Sequence, residues 1–222
     1  MQEIEKEKIR DRFLEVDSAN VADVLDELGL PDQGLSPEFQ AISGTRLSGW
    51  AYTIAGQMIP YSGTGDAKKM EACHGIGNAD VSVWSGDGEG ICYFGELIAL
   101  GMAQRGSSGA LVDGGLRDVR ALREHEFPAF ARYRSSVQSI GRWRVTHWQV
   151  PVTVAGATIR RVIVHPGDFI VADEDGAIVI PRDRVVEVLD RAEAMTLAEV
   201  KVRDALKTGM SLSDALKQFG HV

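Results

Sequence analysis

Residues 95–122 read GELIALGMAQRGSSGALVDGGLRDVRAL and predict the alternation of helix and strand around which the rest of the chain is organised. Helical spacing covers 95–105, a short and continuously apolar strand covers Gly109–Val112, and a second helix covers 117–124. Asp113 ends the predicted strand, and the two glycines that follow it predict a tight turn. Because strands alternate with helices, the stretch predicts an α/β fold.

The flanking segments extend this pattern in both directions. Helical spacing predicts further helices at 4–14, 19–28, 66–73, 182–206 and 211–219. Runs rich in β-branched and aromatic residues predict strands at 50–59, 81–84, 128–132 and 150–158, and a hairpin at 169–180. Residues 31–49 are rich in turn formers. No repeat or long linker divides the chain, so we expect one domain over 1–222, with helical ends at 1–30 and 182–222.

The composition is that of an ordinary globular protein, with 222 residues, 44% of them hydrophobic and 25% charged. The net charge of −8 argues against nucleic acid or an anionic membrane as the main partner, although seven arginines within 117–144 leave room for a local basic surface. The two cysteines lack CxxC spacing, which indicates free thiols in a reducing compartment. The N-terminus is charged from its third residue and no apolar run could span a membrane, so we expect a cytoplasmic protein.

Several familiar chemistries lack their residue patterns. The lysines occur in helical or polar surface stretches, which disfavours a lysine-dependent mechanism: they are residues 6, 8, 68, 69, 201, 207 and 217. The histidines show neither HxH nor HExxH spacing, so a zinc site is not supported. Cys73 and Cys92 are interpreted as inert. The Gly63-Thr64-Gly65 turn lacks the full phosphate-loop pattern and is interpreted as a plain surface turn.

The polar residues of 95–122 are the remaining candidates. Glu96 begins one predicted helix, and Arg117 and Asp118 begin the next. An acid at a helix start with an arginine beside it is common on protein surfaces. Here, however, the pair follows two glycines at the carboxyl end of an apolar strand, where ligands bind in α/β sheets. The N–H groups at a helix start also suit an anion, so the pattern predicts a small-anion or metal site.

The spacing Glu96-x20-Arg117-Asp118 resembles the D/E-x20-R-D signature of the RraA-like family. Supporting stretches are GELIA, GALVDGGLRDV, FPAFAR, VPVTVAG and HPGDFIVADEDGAIVIPR. The resemblance runs from about Asp17 to the C-terminus. It implies an α/β/β/α swivelling sandwich of the phosphohistidine-domain type, with extra N- and C-terminal helices here. It also implies homotrimers or homohexamers with active sites between subunits.

The same resemblance implies roles for individual residues. Asp118 would ligate Mg²⁺ or Mn²⁺, and Arg117 would donate to the keto oxygen of pyruvate and stabilise its enolate. The backbone N–H groups of Gly95, Glu96, Leu97 and Ile98 would hold the pyruvate carboxylate. Glu96 would also organise water at the metal, and Glu199 of a neighbouring subunit would complete the site.

The family includes class II pyruvate aldolases that act on 4-hydroxy-4-methyl-2-oxoglutarate and 4-carboxy-4-hydroxy-2-oxoadipate. The resemblance therefore implies a metal-dependent lyase for a small 2-oxo acid, with oxaloacetate decarboxylation as a side activity. Other relatives regulate ribonuclease activity by contacting an RNA-processing enzyme, and an old family label is methyltransferase, for which no nucleotide-binding motif is present. Arg134, Arg142 or Arg144 would either contact a distal substrate carboxylate or lie in solvent or at a subunit contact.

Overall fold

A computed structural model describes residues 3–86 and 88–220, so the outermost ends of the predicted terminal regions and Asp87 lie outside the described residues. The helices are α1 (Glu3–Phe13), α2 (Ser18–Glu27), α3 (Ala67–His74), α4 (Glu96–Ala103), α5 (Val119–Glu124), α6 (Val185–Lys207) and α7 (Leu212–Phe219). The strands are β1 (Gln40–Ser43), β2 (Leu47–Met58), β3 (Asp80–Ser85), β4 (Cys92–Phe94), β5 (Gly109–Leu116), β6 (Ala129–Arg134), β7 (Trp143–Trp148), β8 (Val152–Ala155), β9 (Arg161–Val164), β10 (Phe169–Ala172) and β11 (Ala177–Ile180). None of the helices described is long and apolar enough to cross a membrane.

In the part of the chain that the structure describes, nine strands form one mixed sheet whose main path is β1-β6-β5-β3-β2-β10-β11. The central strands β2, β3, β5 and β6 run parallel, and β4 pairs with β5 in the same direction. β1, β7, β10 and β11 pair antiparallel, and β8 and β9 form a separate two-stranded sheet. The carboxyl ends of β4 and β5 therefore lie side by side, next to the starts of α4 and α5.

Three groups of buried side chains hold these layers together. The first lies under α3, α4 and α5 and includes Trp84 and Met102. The second joins α1, α2 and α6 to the sheet and includes Phe13 and Phe169, whose ring centroids are 4.6 Å apart. The third lies between β8–β9 and the main sheet. Burying each large apolar side chain contributes roughly 1.5–3 kcal/mol. The order of the elements and the sheet topology confirm the predicted α/β architecture with added helices at both ends.

Four strands were not predicted from the sequence, namely β1, β4, β7 and β9. β1 lies inside the turn-rich segment 31–49 and is a four-residue strand that pairs with β6. β7 lies in a stretch rich in arginine and tryptophan, and it pairs with the second half of β2. β1 and β7 form because a distant partner offers hydrogen bonds and a packing surface, and local residue patterns do not contain that information.

The tight turn predicted after Asp113 is wrong, because β5 continues through Leu116. A Cβ atom on Gly114 would lie 2.4 Å from the Tyr93 ring, and one on Gly115 would lie 2.6 Å from the Tyr133 ring. The two glycines therefore admit aromatic rings against the strand. Asp113 consequently lies within β5, and its buried carboxylate contacts Arg132 and Arg161.

Candidate active site

A cavity of about 760 Å³ opens at the carboxyl ends of β4 and β5. Its walls come from the turn before α3 and the first turns of that helix (64–67, 69 and 70), the end of β4 with the start of α4 (92–98), Arg117 with Asp118, and residues 138–140. This volume lies within the usual range for small-molecule sites. Residues 95–98, which were predicted to bind the substrate carboxylate, thus line the same cavity as Arg117 and Asp118.

The start of α4 provides hydrogen-bond donors at this cavity. Gly95 precedes the helix in an extended conformation, without a side chain to cap it. The N–H groups of the first turn have no acceptor inside a helix. The Glu96 N–H donates to Asp118 Oδ2 at 3.2 Å, so one of the predicted carboxylate donors already has an acceptor. The N–H groups of Leu97 and Ile98 are the remaining donors of that turn.

Arg117 and Asp118 are held by the strand ends and by an unusual backbone conformation. The Arg117 N–H donates to the Phe94 carbonyl at 3.0 Å, which ties the residue to β4. Asp118 adopts the left-handed conformation, with φ 60° and ψ 34°. Such a conformation costs a non-glycine residue roughly 1–3 kcal/mol and tends to occur at functional sites. It turns the Asp118 carboxylate toward the start of α4, where Oδ2 lies 3.4 Å from Arg117 Nε.

Gly95 leaves the space that this arrangement needs. A Cβ atom at position 95 would lie 2.6 Å from Asp118 Oδ2 and 3.2 Å from Arg117 Cγ. Any larger residue would therefore displace the Asp118 carboxylate or the Arg117 side chain.

Glu96 lies at the rim of the cavity and is partly exposed. Its Oε1 is 3.3 Å from Nε2 of His125, the residue that follows α5. Sequence analysis did not predict a role for His125. The two residues are 29 positions apart and no motif joins them, so only the folded chain brings them together.

The donor set at Asp118 can be compared with the needs of Mg²⁺ or Mn²⁺. The described residues contain no group of three or more His, Cys, Asp or Glu side chains that could hold a metal ion. They also provide no hydrogen bond to Asp118 Oδ1, which leaves this oxygen available. Mg²⁺ often binds through one or two carboxylates and keeps several waters. The site therefore fits a largely hydrated cation on Asp118 and does not fit a cage made of protein ligands.

The surface position predicted for all the lysines is wrong for Lys69. Its side chain lies on the inner face of α3, with the residue 8% exposed, and it lines the cavity. The ammonium donates to the Tyr93 carbonyl and lies over the rings of Trp84 and Trp143, 5.4 and 5.7 Å from their centroids. Burial lowers the pKa of Lys69, and the positive charge of Arg117 acts in the same direction. Local polarity could not reveal which face of α3 meets the sheet.

The segment before α3 also differs from its predicted role. Asp66 caps α3 by accepting the Lys69 N–H at 3.3 Å, which confirms the predicted helix start. Its other oxygen accepts the Val145 N–H at 2.7 Å and so ties α3 to β7. Thr64 and Gly65, interpreted as part of a plain surface turn, are exposed but line the cavity.

Other predicted residues lie away from this cavity. Glu199 on α6 pairs with Arg203 at 3.7 Å and lines a separate cavity beside α7. Its role in a neighbouring subunit stays a prediction. Arg144 lies over the Tyr61 ring at 5.0 Å and Arg142 donates to the Gln138 carbonyl at 3.4 Å. Neither arginine lines the cavity, and nor does Arg134.

The two thiols have the properties expected of inert cysteines. Both are free, and Cys92 is buried. Burial raises the pKa of Cys73 to about 11 and also raises the pKa of Cys92. Both therefore stay protonated near neutral pH, and the protonated thiol is a poor nucleophile.

Taken together, the fold and the cavity describe a mixed α/β protein with a candidate small-anion site at the carboxyl ends of its strands. Residues 18–179, more than half of the chain, match the family model described as RraA-like, Aldolase/RraA. The chain belongs to the RraA-like family.

Two relatives illustrate the range of the sequence similarity. Protein DlpA of Legionella pneumophila is 29% identical over 94% of this chain, which spans 33% of that protein. A protein of Halalkalibacterium halodurans, provisionally named 4-hydroxy-4-methyl-2-oxoglutarate aldolase, is 33% identical over 56% of this chain and 57% of its own length. The chain therefore spans about a third to three fifths of the length of these relatives.

Solved structures share the fold over most of the chain. An uncharacterised protein from Pseudomonas syringae pv. tomato superposes with a TM-score of 0.84 and 27% identity, covering 96% of this chain and 94% of that one. Streptomyces coelicolor RraAS2, described as an unusual member of the RNase ES inhibitor RraA protein family, has a TM-score of 0.73 and 26% identity. That match covers 88% of this chain and 96% of RraAS2.

Proposed function

We propose that this chain is a divalent-metal-dependent lyase that cleaves a 4-hydroxy-2-oxo acid to pyruvate, with oxaloacetate decarboxylation as a side activity. The observation that carries the proposal is the convergence in one cavity of the α4 start, Arg117 and Asp118. Relatives provisionally named 4-hydroxy-4-methyl-2-oxoglutarate aldolase, such as the H. halodurans protein, support the reaction class.

The residues of the cavity suit the successive needs of this reaction. The N–H groups of Leu97 and Ile98 would hold the substrate carboxylate at the positive end of α4. When the C4 hydroxyl loses its proton, the C3–C4 bond breaks and pyruvate leaves as its enolate, which is then protonated at C3. The Arg117 guanidinium donates to the C2 oxygen, where negative charge grows as the bond breaks. Decarboxylation of oxaloacetate breaks the equivalent bond and forms the same enolate.

The metal and the remaining acids complete the proposal. Mg²⁺ or Mn²⁺ held by Asp118 would act as a Lewis acid toward the 2-oxo acid. Glu96, paired with His125 at the rim, would order the water that accepts the hydroxyl proton. Glu199 would reach the site from a neighbouring subunit of a homotrimer or homohexamer, since within its own chain it lines a different cavity.

Removal of divalent metal is expected to lower pyruvate release by about 100-fold or more, because Lewis-acid stabilisation of the transition state is worth several kcal/mol. The protein would be treated with EDTA, dialysed, and assayed with oxaloacetate and with 4-hydroxy-4-methyl-2-oxoglutarate, with pyruvate detected by a coupled dehydrogenase. Added Mg²⁺ or Mn²⁺ should restore the rate. Reactions with metal but no protein correct for spontaneous oxaloacetate decay. Full activity in the presence of EDTA would contradict the metal requirement, and no pyruvate from any 4-hydroxy-2-oxo acid would contradict the proposed function.

The Gly95→Ala substitution is expected to lower pyruvate release by about 100-fold, because a displacement near 1 Å at a catalytic group has effects of this size. The added methyl group would meet Asp118 Oδ2 at 2.6 Å. Gly101→Ala is the matched control, since it lies in the same helix with nothing within 4 Å of its Cβ position. The control should keep full activity and gain up to about 1 kcal/mol of stability. Equal activity of the two variants would show that position 95 tolerates a side chain.

A second candidate function is regulation of an RNA-processing enzyme. It is favoured by the structural similarity to S. coelicolor RraAS2. A regulator would act through a binding surface and would not need Arg117 for catalysis. Co-precipitation with a ribonuclease of the RNase E type, together with an RNA-cleavage assay, tests this function. Inhibition that is equal for the wild type and for Arg117→Ala, with no pyruvate release by either, would favour the regulator.

A further inference from the structure

The environment of Lys69 is unusual for a lysine. The residue is 8% exposed and lines the cavity that also contains Arg117. One hydrogen bond from its ammonium, to the Tyr93 carbonyl, is found within the described residues, and no carboxylate of those residues forms an ion pair with it. The nearby Asp66 carboxylate instead accepts the N–H groups of Lys69 and Val145.

This environment compensates the charge of Lys69 only in part. An ammonium has three N–H donors, so two remain for other acceptors. The faces of Trp84 and Trp143 attract the cation, but they do not replace a counter-ion. Buried charges in proteins are normally paired, because removal from water is costly. Since Lys69 is one of the residues that line the cavity, an anionic ligand bound there is the partner that would pair with its charge.

The proposed reaction already assigns the other positive groups of the cavity, and the following inference rests on that function. In that reaction the N–H groups at the start of α4 bind the carboxylate next to the keto group, and Arg117 donates to the keto oxygen. A cavity of about 760 Å³ leaves room for the rest of a substrate larger than pyruvate. The arginines considered from the sequence as contacts for a distal carboxylate do not line this cavity.

We propose that the Lys69 ammonium binds the second carboxylate of a dicarboxylic 2-oxo acid and thereby makes the site selective for dicarboxylates. Lys69 acts in recognition, and no covalent step is assigned to it.

Two ligands that cannot be cleaved test this role directly. 2-Oxoglutarate and 2-oxopentanoate have the same chain length and the same 2-oxo acid group, and only the first has a second carboxylate. Their dissociation constants would be measured by titration calorimetry with Mg²⁺ present in every titration. We expect the wild type to bind 2-oxoglutarate at least about 30-fold more tightly, as for a buried charge pair. Lys69→Met, which keeps the length of the side chain, should remove this preference and change 2-oxopentanoate binding by less than about threefold.

The control and the second variant separate charge from packing. Lys68→Met removes a charge from the exposed face of the same helix and should leave both dissociation constants unchanged. Lys69→Gln, which keeps a donor for the Tyr93 carbonyl, provides the same comparison if Lys69→Met does not fold. Circular dichroism establishes which variants are folded.

Three results would overturn the assignment of Lys69. The first is equal affinity of the wild type for both ligands. The second is an equal loss of affinity for both ligands in a folded Lys69 variant, and the third is an unchanged preference for 2-oxoglutarate in that variant. The proposed function fails separately. A wild type that binds 2-oxoglutarate through Lys69 but releases no pyruvate would contradict the lyase activity alone. A wild type that releases pyruvate but has no dicarboxylate preference would contradict the role of Lys69 alone.

Discussion

Replacing Arg117 with alanine is expected to lower pyruvate release by about 10³-fold while leaving the protein folded. The guanidinium is the cationic group that the proposal places on the C2 oxygen, where charge develops as the C3–C4 bond breaks. Its effect on stability should be small, because its contact with Asp118 is a partly exposed pair with 3.4 Å between Nε and Oδ2. The measurement is the initial rate of Mg²⁺-dependent pyruvate release, with thermal unfolding recorded for the same preparations.

Arg120→Ala is the matched control for this experiment. Arg120 follows closely in α5, but its side chain is 92% exposed and pairs with Glu124 of the same helix. Its removal should leave the rate unchanged. Arg117→Lys should recover only part of the activity, since an ammonium keeps the charge but not the planar pair of donors. An Arg117→Ala protein as active as the Arg120→Ala protein would contradict the proposed role of Arg117.

Replacing Asp113 with alanine is expected to lower the free energy of unfolding by about 3 kcal/mol, the lower end of the range for breaking a buried ion pair. The Asp113 side chain is fully buried, 2.5 Å from Arg161 Nη1 and 3.3 Å from Arg132 Nη1. It also accepts the Ala155 N–H at 3.2 Å, so it joins β5 to β6, β8 and β9. The cost lies at the lower end because both arginines reach solvent. For a chain of this length the melting temperature should fall by about 6–12 °C.

Asp190→Ala is the comparison for a surface charge. Asp190 is 62% exposed and pairs with Arg12 at 2.8 Å, so its removal should cost no more than about 1 kcal/mol. Urea unfolding of both variants at one protein concentration keeps any contribution from subunit association constant. If Asp113→Ala were no less stable than Asp190→Ala, the buried carboxylate would not hold the two sheets together.

The fold was predictable wherever local pattern and local structure agree. The hairpin of β10 and β11 surrounds an acidic turn that ends in Gly176, and α7 is capped by Ser211, whose hydroxyl accepts the Asp214 N–H. In each case the chain contains its own turn or cap. β1 and β7 were missed because their stability comes from pairing with β6 and β2, which are far away in the chain.

The candidate site was likewise predictable from the sequence only in part. The spacing of Glu96, Arg117 and Asp118 indicated the site because these residues lie at two helix starts with one buried strand between them. The chemical roles of these residues stay predictions. The two glycines after Asp113 were interpreted as a tight turn, whereas they lie within β5 and pack against Tyr93 and Tyr133. A glycine in a sequence indicates a close approach without specifying the group that approaches.

The sequence by itself determined the family, the alternation of helices with strands, and the position of an acid and an Arg–Asp pair at helix starts. These features depend on residues near one another in the chain, whose spacing sets their geometry. Only the tertiary structure decided which side chains share the cavity. Lys69 was interpreted as a surface residue because lysines usually lie in solvent, yet packing of α3 against Trp84 and Trp143 buries it beside Arg117. The inner face of a short, polar helix is set by the sheet against which it packs, and that surface is assembled from distant parts of the chain.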